Sequence, residues 1–258
     1  MAITDIVIGA GVKVGGGITV SNNGVITTGM VLGLDAANPS SYPGYGTTWY
    51  DISGSGYNFN IVSSAYTGTG PQYMNFGGSY GCAKCASGVD APINGTVTAV
   101  VWTIPLNSTA NWRTLFRGLS ASQDHQVIIE SGTYRIGMYS NDSGSGFNYC
   151  GYDQTSLPNY ATQWQMMVWT WPGSASPGYY NLALNSAPST IVGSITSANA
   201  TFHSGICSIG AYNNGNQTDP TVASQFWGNI GAIYMYNRIL SSTELLQIWN
   251  ATHARYGV

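Results

Sequence analysis

Gln163-Trp164-Gln165-Met166-Met167-Val168-Trp169-Thr170-Trp171 is the stretch on which the fold turns. Rich in aromatic and apolar side chains and free of Gly and Pro, it reads as one long strand. Alternation puts Trp164, Met166 and Val168 on one face and Met167, Trp169 and Trp171 on the other. A strand apolar on both faces is covered on both. One cover is the core of a β-sandwich. The other comes from loops, from a helix or from a neighbouring protein. The last choice makes this face the best sequence hint of an assembly surface.

Similar strands recur outward from it. Met30-Val31-Leu32-Gly33-Leu34-Asp35 is the first, broken by Asn38-Pro39 and Tyr42-Pro43-Gly44. Thr96 to Ile104 is closed by Pro105. Gln126 to Glu130 and Thr133 to Tyr139 flank Ser131-Gly132, a hairpin signal. Tyr179 to Leu184, Ile206 to Ile209 and Gln225 to Tyr236 complete the set. Short strands at roughly 8–12-residue spacing with Gly, Pro and Asn turns predict an all-β sandwich or barrel. One helix stands apart. Ser241-Ser242-Thr243-Glu244 is a capping box, Leu245, Ile248, Trp249 and Thr252 share one face, and Gly257 lies just past the end. The apolar stripe predicts a short C-terminal helix packed on the β-domain.

Composition narrows the function classes. Only 7% of the 258 residues are charged, the net charge is −3, and seven cations cannot supply the phosphate contacts that nucleic acid needs. Lys and Glu are too scarce for a coiled coil, and aromatic and β-branched residues too abundant for disorder. No 18-residue apolar run predicts a transmembrane helix, and no membrane partner is expected. A surface of uncharged Ser, Thr, Asn and Tyr packs against neighbours with little charge desolvation, which suits life in an assembly.

Residues 1–28 differ from the rest. Ile6, Ile8, Val12, Val14, Ile18 and Val20 alternate with glycines, including Gly15-Gly16-Gly17. This pattern reads either as a Gly-rich anchoring arm that pairs with a partner, or as an edge strand of the main domain at 29–258. The segment lacks a basic n-region and carries Asp5 and Lys13, so it does not read as a signal peptide. Among the cysteines, Cys82-Ala-Lys-Cys85 has CxxC spacing, while Cys150 and Cys207 stand alone. No second CxxC or His pair accompanies it, so buried thiols are the first reading, ahead of a disulfide or metal ligands.

Two segments carry a family resemblance. Leu32-Gly33-Leu34-Asp35-Ala36-Ala37-Asn38-Pro39-Ser40-Ser41-Tyr42-Pro43, with Thr48-Trp49-Tyr50-Asp51-Ile52-Ser53-Gly54, resembles the opening of concanavalin A-like lectin/glucanase domains in their laminin G-like form. Phe226-Trp227-Gly228-Asn229-Ile230-Gly231 and Ile233-Tyr234-Met235-Tyr236-Asn237-Arg238-Ile239-Leu240-Ser241, running into the capped helix, resemble their close. More narrowly, these segments are similar to the copies in structural proteins of tailed bacteriophages. The resemblance spans about residues 29–258. It implies a jelly-roll sandwich of two antiparallel sheets with a short C-terminal helix. It also implies a non-enzymatic virion protein, a capsid decoration or cement or a tail-associated component. Its partners would be other virion proteins, copies of itself and host-surface glycans. The alternative is a tail-fibre or free carbohydrate-binding adhesin.

Residue chemistry bears on the same question. Most glycoside hydrolases need two carboxyl groups facing across a cleft. The only glutamates are Glu130 and Glu244; the capping box takes Glu244, and Glu130 has no acidic neighbour on its strand face. No Gly-x-Ser-x-Gly elbow stands between a strand and a helix, and no phosphate-binding or dinucleotide motif occurs. No catalytic residue is therefore expected. Sugar recognition uses aromatic faces and Asn, Asp or Gln side chains, best supplied by loops. Two segments read as such loops: Tyr152 and Asp153 in one, Tyr212, Asn213, Asn214 and Asp219 in the other. The same residues also serve ordinary turns. Calcium needs several converging oxygen ligands, and acids are sparse, so no metal or cofactor is expected.

Overall fold

The computed structural model describes residues 24–77, 81–87, 91–105, 112–118, 125–132, 135–140, 148–153, 162–172, 178–183, 191–195, 202, 205–211 and 225–258, with two short strands at 13–14 and 18–19. β1 (Lys13–Val14) and β2 (Ile18–Thr19) pair with each other as an antiparallel ribbon. β3 (Met30–Asp35) is followed by five short strands: β4 (Thr48–Trp49), β5 (Phe59–Val62), β6 (Ala65–Thr67), β7 (Tyr73–Asn75) and β8 (Cys82–Cys85). β9 (Val97–Pro105) is long. β10 (Arg113–Thr114), β11 (Phe116–Arg117), β12 (His125–Ile129), β13 (Arg135–Ser140) and β14 (Asn148–Asp153) come next. β15 (Gln165–Trp171), β16 (Gly178–Ala183), β17 (Ile191–Ile195), β18 (Ser208–Ile209) and β19 (Gly228–Tyr236) precede the helix α1 (Ser242–Thr252) and a 3-10 turn at His253–Tyr256.

The strands form a sandwich of antiparallel sheets. One layer is an eight-stranded sheet in the order β17-β16-β15-β9-β19-β7-β6, with β3 also paired to β19. The opposite layer is divided into a five-stranded sheet, β11-β18-β8-β5-β4, and a four-stranded sheet, β10-β12-β13-β14. The five residues 113–117 join them. Arg113 and Thr114 pair with β12, Phe116 and Arg117 pair with β18, and Leu115 bonds to both neighbours through Val127 and Gly210. One strand thus passes from one sheet to the other, and the second layer bends where the sequence analysis expected a single sheet.

The centre of the large sheet is covered on both faces. Met167, Trp169 and Trp171 enter the core between the layers, with Val97, Ala99, Val101, Ile233 and Met235. Trp164, Met166 and Val168 belong to a second apolar layer with Val100, Trp102, Tyr234, Leu245, Ile248, Trp249 and Tyr256. The cover of the second face is therefore α1 and the turn after it. The expectation that this face marks an assembly surface is corrected: the chain's own helix occupies it.

α1 begins as the sequence predicts. The Ser241 side chain accepts from the Glu244 amide, and Glu244 reaches back to the Ser241 backbone. Leu245, Ile248, Trp249 and Thr252 are its buried residues. Trp102 stacks on Tyr256 at 4.4 Å and on Trp249 at 5.3 Å between ring centres, and its indole N–H donates to Thr252 at 2.9 Å. Arg238 donates twice to the Glu244 carboxylate, at 2.7 and 3.0 Å. Those bonds, with the ones from Ser241, hold the Glu244 carboxyl down at about 2. Gly257 closes the turn at φ 73°, a conformation glycine adopts without strain.

Residues 24–28 pack beside the helix. Val25 is buried in the same layer, Gln247 donates to the Gly24 carbonyl, and Tyr236 donates to the Ile26 carbonyl. In the ribbon, Val14 stands opposite Ile18. Ile6, Ile8, Val12 and Val20 lie outside the described residues. Cys82, Cys85 and Cys207 are buried, and none of the three forms a disulfide. Cys82 and Cys85 sit three apart on β8 and so point to opposite faces, which separates the CxxC pair. Burial pushes the Cys82 thiol up to about 11, against a weaker opposing pull from Lys84.

Two expected outcomes follow from this packing. A Cβ at Gly231 would overlap the Tyr256 ring, so Gly231→Ala forces that ring and the 3-10 turn carrying it away from the sheet. We expect a loss of about 1–3 kcal/mol in denaturant unfolding. Glu244 has a folded pKa below its ordinary 4.5, so its stabilisation is present above that pH and is lost as pH falls toward about 2. Melting curves of wild type and Glu244→Gln should differ at neutral pH and converge across that window.

Candidate functional site

Two connections between the layers, β9 to β10 and β18 to β19, start and finish at described positions. Phe226 donates its amide to the Gly210 carbonyl at 2.8 Å, closing the stems on either side of residues 212–224. Gly228 pairs with Pro105, the last residue before 106–111, and that stretch leads to Trp112. Trp227 therefore stands at the base of one connection and Trp112 at the exit of the other.

Trp227 is built into position. Its backbone has φ 53°, a region bulky side chains rarely occupy. Its indole N–H donates to the Gln225 side-chain oxygen at 3.1 Å. The Arg113 guanidinium lies 4.0 Å from the centre of the Trp227 ring, a cation–π contact, and also donates to the Gln225 carbonyl at 3.3 Å. Arg113 is 3% exposed, and burial draws its pKa down from the ordinary arginine value. Gln225 is fully buried, and its side-chain nitrogen has no hydrogen-bond acceptor. Trp227 is 37% exposed and Trp112 39%. The arrangement is an aromatic platform: one ring is fixed by a hydrogen bond, a buried cation and a strained backbone, and still meets solvent. Strain of this kind persists where surrounding structure imposes it, and it clusters at binding sites.

The sequence candidates fall around this point unevenly. Tyr212, Asn213, Asn214 and Asp219 lie outside the described residues, in the chain between the Ala211 and Gln225 stems. Tyr152 and Asp153 are on β14, opposite Ile136 and Arg135. Their segment was expected to be a loop; it is a strand, because all six residues of 148–153 pair in register with β13. Sequence reasoning passed over Trp112 and Trp227 as binding residues. Their signal was a tryptophan abutting an Asn/Ser/Thr-rich stretch at both places.

A groove of about 590 Å³ lies elsewhere, lined by Asp35, Asp51, Met30, Asn38 and Ser40 with Tyr234 among them. Both of its carboxylates are occupied by the protein itself. Asp51 accepts from the Gly33, Ser53 and Tyr57 amides and from the Ser53 hydroxyl. Asp35 accepts from Tyr234 at 2.6 Å, from Arg255 at 3.0 Å and from the Ala37 amide. Burial, then the Asp35 charge, raises the Tyr234 pKa well above its ordinary value, which keeps the phenol a donor. This groove is tied up as a structural junction. Among the described residues no group of three or more His, Cys, Asp or Glu is placed to hold a metal.

Replacing Asp35 with Asn tests the junction. It leaves the Arg255 charge without its partner, and we expect a loss of about 3 kcal/mol by urea unfolding with an unchanged m-value. The Asp35→Asn/Arg255→Met double variant should recover part of it.

No family model and no curated protein sequence matches the chain. Solved structures do. The receptor-binding domain of botulinum neurotoxin type G is 16% identical, with a TM-score of 0.54 over 86% of this chain and 51% of that one. Domain 4 of AbnA, a GH43 extracellular arabinanase from Geobacillus stearothermophilus solved with arabinotriose, is 15% identical, with a TM-score of 0.53 over 85% of this chain and 97% of that one. Trypanosoma rangeli sialidase is 14% identical, with a TM-score of 0.53 over 98% of this chain and 36% of that one. The chain thus spans about half of the toxin chain and nearly all of the arabinanase domain. At these identities the likeness establishes the fold alone, a β-sandwich.

Proposed function

We propose that the chain is a non-catalytic carbohydrate-binding domain whose ligand stacks on Trp227. The observation that carries this is the fixed, half-exposed indole braced by Arg113 and Gln225. A sugar presents a C–H face to an aromatic ring and its hydroxyls to polar side chains around it. A ring already held in place loses little freedom on binding, so more of the contact energy appears as affinity. In this reading Tyr212, Asn213, Asn214 and Asp219, in the chain between Ala211 and Gln225, remain the candidate polar contacts, and Tyr152 and Asp153 on β14 form a second candidate. The like-folded arabinanase domain was solved with arabinotriose, which supports a glycan as the ligand class. Among the described residues, three carboxylates have internal partners: Glu244 is held by Arg238 and Ser241, and Asp35 and Asp51 accept from internal donors.

A finer reading makes this domain part of a bacteriophage virion, as capsid decoration or a tail-associated protein, in contact with other virion proteins and copies of itself. Three features favour it: the phage-like opening and closing segments, the Gly-rich arm with its β1–β2 ribbon, and the scarcity of charge. A tail-fibre or free adhesin shares the same binding chemistry.

A glycan array with the purified chain tests the first reading. Binding should fall at least about tenfold in Trp227→Ala, with an unchanged melting curve. An array on which the wild type binds nothing would reject it. The virion reading is tested by mass spectrometry and imaging of purified particles, and a particle lacking the chain rejects it.

A further inference from the structure

We infer that the loop 42–49 carries a second sugar-stacking position, with Tyr45 as its ring; the ligand class, and only that, rests on the carbohydrate-binding reading above. The loop is closed twice at its base. The Tyr50 amide donates to the Ser41 carbonyl at 2.8 Å, and the Ser41 hydroxyl donates to the Tyr50 carbonyl at 2.7 Å. The limb that leads into β4 is held by the sheet: the Ile61 amide donates to the Thr47 carbonyl at 2.7 Å, and Thr48 pairs with Asn60. Across the middle, the Tyr42 phenol donates to the Gly46 carbonyl at 2.8 Å. Tyr42 is itself buried and packs on Tyr66, 4.8 Å between ring centres. Compact loops whose ends are joined in this way frequently carry function.

Tyr45 stands at the tip. Gly44 and Gly46 flank it at φ 92° and 89°, so the backbone turns sharply on both sides of it. Its side chain is 76% exposed, the highest value among the described large apolar residues, and Tyr50 is 44% exposed. A tyrosine offers a broad apolar face at the cost of two torsions, and a loop already fixed loses little freedom on contact. The exposed area selects the occupant. Tyr45 and Tyr50 together show at most about 300 Å², whereas a standard protein interface takes about 800 Å² from each partner. One sugar ring matches one aromatic face, and Thr47, Thr48 and the exposed backbone of Gly44 and Gly46 supply polar groups beside it. This position is separate from Trp227. The platform is braced from 113–117, which meets the β11 edge of the five-stranded sheet, while the loop leads into β4 at the other edge, about 19 Å across by strand spacing.

The experiment titrates the isotope-labelled full chain with maltotriose, lactose and arabinotriose and follows backbone amide resonances. The Gly44, Tyr45 and Gly46 signals should move in the wild type and in Trp227→Ala. They should stay in place in Tyr45→Ala, whose melting curve is unchanged, and move again in Tyr45→Phe, which keeps the ring. Sugars that shift signals around Trp227 but leave the loop untouched overturn the inference while leaving the carbohydrate-binding reading intact. No shift at either place overturns both. A dimer seen by sedimentation that Tyr45→Ala dissolves overturns the inference in favour of a second copy of the chain.

Discussion

The central strands of the large sheet have no polar face. All nine residues of β9 and all seven of β15 are buried, and of β19 only Asn229 is less than fully covered. A two-layer sandwich can hide one side of such a sheet. The other side needs a third element, and α1 is that element. An eleven-residue helix is marginal on its own, so it exists because the sheet accepts it. The sheet in turn tolerates Trp102 and Trp164 on its outer face because Trp249 and Tyr256 stack there.

Charge is used sparingly and for the same purpose. Arg238 holds Glu244 at the head of α1 and also donates to the Thr28 carbonyl, tying the helix to the start of the domain. Arg255 and Tyr234 converge on Asp35, joining the last turn to the first long strand. Arg113 braces Trp227 from below. In these cases a charged group fixes geometry inside the molecule.

Much of the fold was legible in the sequence because periodicity reports burial. The two faces of 163–171 separated into the two apolar layers residue by residue, and the capping box and buried stripe of α1 were found as read. What escaped was set by distant contacts. β4 and β10, two residues each, leave no periodic trace; they exist because neighbouring strands offer a ladder. The bend at 113–117 is a matter of which edge each residue meets. Asn148–Asp153 reads as a turn because Gly, Asn and Asp favour turns, and pairing with β13 overrode that preference. The platform was hidden for a related reason: whether a tryptophan beside a loop is core or surface depends on what packs over it. The same kind of residue is fully buried at Trp49 and half-exposed at Trp227.

The bond between Asp35 and Arg255 spans 220 residues, and among the described residues β3 pairs with β19 alone. These long spans carry a temporal meaning. During synthesis β9 and β15 emerge with a bare apolar face that no residue made before 240 can cover in the way α1 does. The chain must carry that exposed sheet until α1, which follows it in chain order, has emerged and docked. Topologies with such distant contacts fold slowly, and their open intermediates adhere to one another. Until α1 docks, the outer face of β9 and β15 is a sticky surface, so the helix is also what keeps folding copies apart.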